Sequence, residues 1–100
     1  MTAGDAVAPA PSSIAAGAYL SIQPGAGVEW SIHNIFAGLA SCELSFYDGT
    51  NSIVIETLGT STTGNTWANQ CYFINNSCYL RLKNNESTAR YFSFTGVPTK

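Results

Sequence analysis

From residue 18 to residue 95, apolar and polar side chains alternate with a period of two. That spacing puts successive side chains on opposite faces of a β-strand. Ala18, Leu20 and Ile22 share one face, with Tyr19, Ser21 and Gln23 opposite. Val28, Trp30, Ile32 and Phe36 alternate with Glu29, Ser31 and His33, and Cys42, Leu44 and Phe46 with Glu43, Ser45 and Tyr47. Ile53 and Ile55 oppose Ser52 and Glu56. Trp67, Cys71 and Phe73 oppose Ala68, Gln70 and Tyr72. Cys78, Leu80 and Leu82 alternate with Tyr79, Arg81 and Lys83, and Phe92 and Phe94 with Tyr91, Ser93 and Thr95. The first-named set in each segment is the expected core face. Turn residues punctuate the segments: Pro24-Gly25-Ala26-Gly27, Asp48-Gly49, the polar stretch 59–66, Asn75-Asn76 and Asn84–Ser87. Asp-Gly between alternating runs is a strong hairpin signal, and Asn75-Asn76 reads as a second tight turn joining two paired strands. The pattern predicts an all-β fold, a single antiparallel β-sandwich of about seven to eight strands, jelly-roll-like. An immunoglobulin-type core is disfavoured, because Trp30 precedes all three cysteines rather than lying between two of them.

Residues 1–17 stand apart as Ala, Pro, Gly and Ser with one charge, Asp5. Pro9 and Pro11 remove backbone donors and favour extended structure. The expected organisation is an extended N-terminal arm over 1–17 and a β-sandwich domain over 18–100. The arm is too poor in apolar surface to fold alone. It is expected to order on a neighbouring subunit through Val7 and Ile14, and to be removable without loss of the fold.

The 100-residue length fits one core, and only 10% of residues are charged, well under the usual share of about 25%. Ser, Thr, Asn and Gly fill the surface instead, which suits a chain packed against copies of itself or a larger assembly. Arg81, Lys83, Arg90 and Lys100 are the whole basic complement, and the net charge of −2 argues against nucleic acid. The apolar runs fall far short of the ~20 residues of a membrane helix, and the prolines and absence of early Lys or Arg make a poor secretory signal. Cys42, Cys71 and Cys78 are an odd count on apolar faces, expected as reduced, buried thiols.

Catalytic, metal-binding and cofactor-binding sets are not expected. His33 is the only histidine, and no phosphate-cradling loop or nucleophile elbow occurs. Glu29, Glu43 and Glu56 lie on polar faces of different strands; a glycosidase-like pairing is weighed well below simple solubility. Tyr19, Tyr47, Tyr72, Tyr79 and Tyr91 all fall on outward faces and are the candidate contact surface, since tyrosine is enriched at interfaces and in sugar sites.

The stretches SIQPGAGVEWSIHNIF (21–36), LSFYDGTNSIVIET (44–57) and CYLRLKN (78–84) resemble small virion proteins of tailed bacteriophages. The likeness runs over roughly residues 18–95. It implies a β-sandwich subunit similar to capsid decoration (cement) proteins and related head or tail accessory subunits. Such a subunit is no enzyme and has no cofactor. It forms a homo-oligomer, a trimer in many such families, and binds the major capsid protein or another virion protein. It is made in the bacterial cytoplasm and resides on the virion. The alternative is a carbohydrate- or receptor-binding module of a tail or fibre, using outward tyrosines and asparagines of the 59–66 and 84–88 loops.

Overall fold

The computed structural model describes residues 6–38, 41–59, 65–68 and 70–100, apart from the side chains of Leu58 and Asn65. Nine strands follow in order among the described residues: β1 Ser12–Ile14, β2 Tyr19–Ile22, β3 Glu29–Ala37, β4 Cys42–Tyr47, β5 Ser52–Leu58, β6 Asn65–Trp67, β7 Tyr72–Asn75, β8 Tyr79–Asn84 and β9 Arg90–Pro98. They form two antiparallel sheets. Sheet A runs β1-β9-β3-β6, with β7 also on β3, and sheet B runs β2-β8-β4-β5. β6 and β7 occupy one strand position in two pieces. The described residues therefore fill eight positions, four per sheet, in the order of a jelly roll. The sandwich expected from the period-two pattern is the fold.

The inner faces meet in one core. Ile32, Ile35, Trp67, Ile74, Phe92 and Phe94 come from sheet A; Ile22, Cys42, Leu44, Leu80 and Leu82 come from sheet B. Trp30 packs at the margin of this core, tilted against Phe94 with ring centroids 5.8 Å apart.

The β4–β5 connection is the expected hairpin. Asp48 Oδ1 accepts hydrogen bonds from Thr50 N–H at 2.9 Å and Asn51 N–H at 2.7 Å, while Gly49 takes the left-handed conformation at φ +94°. The Asn51 and Thr50 amides hold the Asp48 carboxyl below the usual carboxylate range. The Asn75 turn is different. Asn75 Oδ1 caps the N–H groups of Ser77 and Cys78, and the chain crosses from sheet A to sheet B. β7 and β8 therefore do not pair, which corrects the expected hairpin.

The period slips in three places, and each corrects an expected face. His33 is the extra residue of a bulge in β3, so Ile35 and Ala37 turn inward and Phe36 outward. Ile55 is the extra residue of a bulge against β4, which leaves Ile53 and Glu56 on one face of β5. The break between β6 and β7 lies level with the His33 bulge, where Gln70 N–H donates to His33 C=O at 2.9 Å. Beyond that break Tyr72 pairs with Ile32 and Ile74 with Trp30, so these two face the core while Cys71 and Phe73 face out. Most of the 59–66 stretch lies outside the described residues.

The N-terminal segment belongs to the sandwich. β1 pairs with β9, and Val7, buried in the core, exchanges hydrogen bonds with Gly96 at 2.8 and 2.9 Å. Gly96 is flanked so closely by β3 that a Cβ there would run into Ser31 C=O and Ile32 Cα. Asn84, fully buried, ties the segment down. Its Nδ2 donates to Ile14 C=O at 2.9 Å, Ala15 C=O at 3.4 Å and Thr88 C=O at 2.9 Å, and its Oδ1 accepts from Glu86 N–H. The expectation that the core begins after Gly17 is corrected accordingly: edge-strand pairing and one buried valine hold a segment whose composition alone is too weak to fold.

Candidate functional site

Three of the five candidate tyrosines gather on the outer face of sheet B. Register puts Tyr47 directly opposite Tyr79, and Arg81 between Ser21 and Ser45, diagonal to both Tyr19 and Tyr47. On a pleated surface such diagonal positions are within reach of long and aromatic side chains. The Arg81 guanidinium sits 4.0 Å from the Tyr19 ring centroid and 3.6 Å from that of Tyr47. Tyr79 meets Tyr47 edge-on, 5.6 Å between centroids. The result is a stack of two rings about one cation, with a third ring at its side.

The electrostatics of this stack are uncommon for a surface arginine. Arg81 Nε is shielded from solvent and has no hydrogen-bond partner among the described residues. The charge is held by the quadrupoles of two rings, worth about 0.5–2 kcal/mol each depending on desolvation. Lys83 stands two residues further along the same face, between Tyr19 and Glu43. The stack forms an amphipathic face on which Arg81 and Lys83 stand beside Glu43.

Tyr91 and Tyr72 lie elsewhere. Tyr91 is on the outer face of sheet A and 63% exposed, beside Phe36. Together with Pro11, Thr66 and Ser93 they line an open cavity of about 310 Å³. Ser93 Oγ donates to Pro9 C=O at 2.8 Å, so the N-terminal segment forms one wall of this region. Tyr72 packs against the core, and burial together with nearby Glu56 pushes its phenol above the ordinary value. It is not part of an outward surface. Val7 is buried within its own chain and Ile14 half-buried, so neither is free to clamp a neighbour.

The three glutamates are dispersed, whereas His33, Ser31 and Cys71 form one short chain of polar contacts. Glu29 bridges to Lys100 at 3.8 Å on sheet A, Glu43 accepts from Asn85 Nδ2 at 3.0 Å on the outer side of sheet B, and Glu56 faces the inner side of β5. His33 Nε2 lies 3.2 Å from Ser31 Oγ, which lies 3.8 Å from Cys71 Sγ. Cys42, Cys71 and Cys78 are all free thiols; Cys42 is buried, whereas Cys71 is exposed and Cys78 half-buried, which corrects the expected burial of all three. Burial, reinforced by Glu86, raises the Cys42 thiol to about 11. No metal-ligating group of three or more side chains is drawn together among the described residues.

Sequence reasoning singled out Tyr19, Tyr47 and Tyr79 but missed Arg81, which organises them. Its signal was present in the Tyr79-x-Arg81-x-Lys83 alternation, but its partners lie on β2 and β4, and only the topology puts those strands on either side of β8. No family model matches the chain, and no curated protein matches it.

Proposed function

We propose that this chain is a structural virion protein of a tailed bacteriophage, a capsid decoration (cement) protein that self-associates and stabilises the head. The observation that carries the reading is the Tyr19–Arg81–Tyr47–Tyr79 stack. It gives one sheet face the arginine and tyrosine enrichment of protein-interface hot spots. The low charge and the likeness of residues 21–36, 44–57 and 78–84 to small virion proteins support it. Jelly rolls are common among capsid proteins, though lectins share them, so the fold is support by analogy. The three free thiols agree with synthesis in a bacterial cytoplasm. The partner is the major capsid protein or a neighbouring virion protein.

The test is co-sedimentation with undecorated heads of the encoding phage. Wild-type protein should pellet saturably, and Arg81→Ala or Tyr47→Ala should weaken binding by roughly 2 kcal/mol or more, about thirtyfold. Failure of the wild-type protein to bind heads overturns the assignment.

A second reading has its own observation, the Phe36–Tyr91 cavity on sheet A, near the lower end of ligand-site volumes. A carbohydrate-binding module of a tail or fibre would use it to stack a sugar ring. Binding on a glycan array that Tyr91→Ala abolishes selects this reading.

A further inference from the structure

The sandwich has four strand positions at sheet edges, and three are blunted. β1 has three residues and follows Pro9 and Pro11; β2 has four and ends two residues before Pro24; β6 and β7 share the fourth position in pieces of three and four. Short strands and flanking prolines are the usual protections of an edge. β5 is the exception. It has seven residues, Ser-Ile-Val-Ile-Glu-Thr-Leu, with no proline, lysine or arginine and a single charge at Glu56. It bonds to β4 on one side and to no other strand among the described residues. Ile53, Val54 and Ile55 are 65%, 52% and 40% exposed. Only the bulge at Ile55 interrupts the edge. Backbone donors and acceptors in a row, flanked by β-branched side chains, are a template for another strand.

We propose that β5 pairs antiparallel with β5 of a second copy of this chain, joining two four-stranded sheets into one continuous sheet across a two-fold axis. A two-fold contact requires the strand to fit itself. An axis at Val54 sets Val54 against Val54 of the other copy on the outer face, and the two Glu56 carboxylates, which share the inner side of β5 with Ile53, are not opposed. The net charge of −2 on each chain adds little repulsion. Pairing uses up the one long edge of each copy, so assembly through it closes at two. The contact is small beside a standard interface, so association is weak in dilute solution and is strengthened when both copies are held on one surface.

This pairing deepens the self-association in the proposed function and rests on that part of the reading, not on capsid binding. The experiment therefore uses the isolated full-length protein with no heads present. Sedimentation velocity from micromolar to millimolar concentration should show a monomer–dimer equilibrium. Val54→Lys, which puts two ammonium groups at the axis, should weaken it tenfold or more. Its melting transition should stay near wild type, since the side chain is exposed. In a Cys71→Ser background, mild oxidation of Val54→Cys should give a covalent dimer, whereas Ser13→Cys, on the opposite edge, should give none. A monomer throughout the range, a Val54→Lys variant that dimerises like wild type, or open-ended polymers in place of dimers would each overturn the pairing. Loss of head binding with the dimer intact would instead count against the virion assignment alone.

Discussion

Asn84 holds together three parts of the chain that no local pattern connects. It is fully buried at the end of β8 and satisfies carbonyls of Ile14, Ala15 and Thr88 through one amide nitrogen. Substituting it removes its hydrogen bonds to Ile14 C=O and Thr88 C=O, loosens the tie to Ala15 C=O, which keeps Ala18 N–H, and empties a fully buried position, at about 0.5–1.5 kcal/mol for each hydrogen bond lost. Asn84→Ala should therefore destabilise by roughly 3 kcal/mol in urea titration, and Asn84→Asp by at least as much, since a carboxylate would face carbonyl oxygens. A loss under about 0.5 kcal/mol, the range of neutral surface changes, would show that water replaces the amide. Cys42 gives a residue-scale pH dependence. Its thiol, ordinarily at 9.0, is raised to about 11 by burial and then by Glu86. The folded state keeps a proton that the unfolded chain has lost, so the contribution is complete below pH 9 and is lost as pH rises toward 11. Stability should fall less steeply over that window in Cys42→Ala than in wild type. Equal slopes would contradict the burial of the thiol.

At the scale of elements, the period-two pattern located the strands and the Asp48 hairpin because both are local. Alternation reports a pleated, half-buried surface, and the Asp48 turn is closed by its own side chain. Facing was misread after His33, at Ile55 and across the β6–β7 break, since a one-residue slip reverses every side chain beyond it. Nothing in single-strand composition marks the bulge at His33, which lies beside the close approach of Gly96 to β3. The candidate site was half legible for the same reason: the tyrosines fall on polar positions of the pattern, but the stack about Arg81 depends on strands far apart in sequence. The N-terminal segment makes the sharpest prediction here. Val7 and β1 belong to sheet A, and Asn84 depends on Ile14 and Ala15. Deleting residues 1–17 should cost at least the burial of Val7, roughly 1.5–3 kcal/mol, plus the contacts of Asn84. Thermal unfolding of the truncated chain should show a lower midpoint or no cooperative transition. An unchanged melting curve would restore the picture of a removable arm.

For the whole molecule, the jelly roll leaves three surfaces with different characters: the Arg81–tyrosine face of sheet B, the Phe36–Tyr91 hollow on sheet A, and the β5 edge between them. On the proposed reading, the first grips the virion and the last joins neighbouring copies. The two uses are compatible, because a face and an edge of the same sheet can be occupied at once. A head-binding face predicts salt tolerance as well, since the contact rests on rings stacked about a half-buried arginine, its Nε shielded, rather than on exposed ion pairs. The most direct measurement is an electron cryo-microscopy reconstruction of the virion that carries this chain. The account predicts ordered sandwich density on the outside of the head, with the Tyr19, Tyr47, Tyr79 and Arg81 face against the capsid shell. Density confined to a tail fibre tip, or a decorated head in which that face points to solvent, would contradict it.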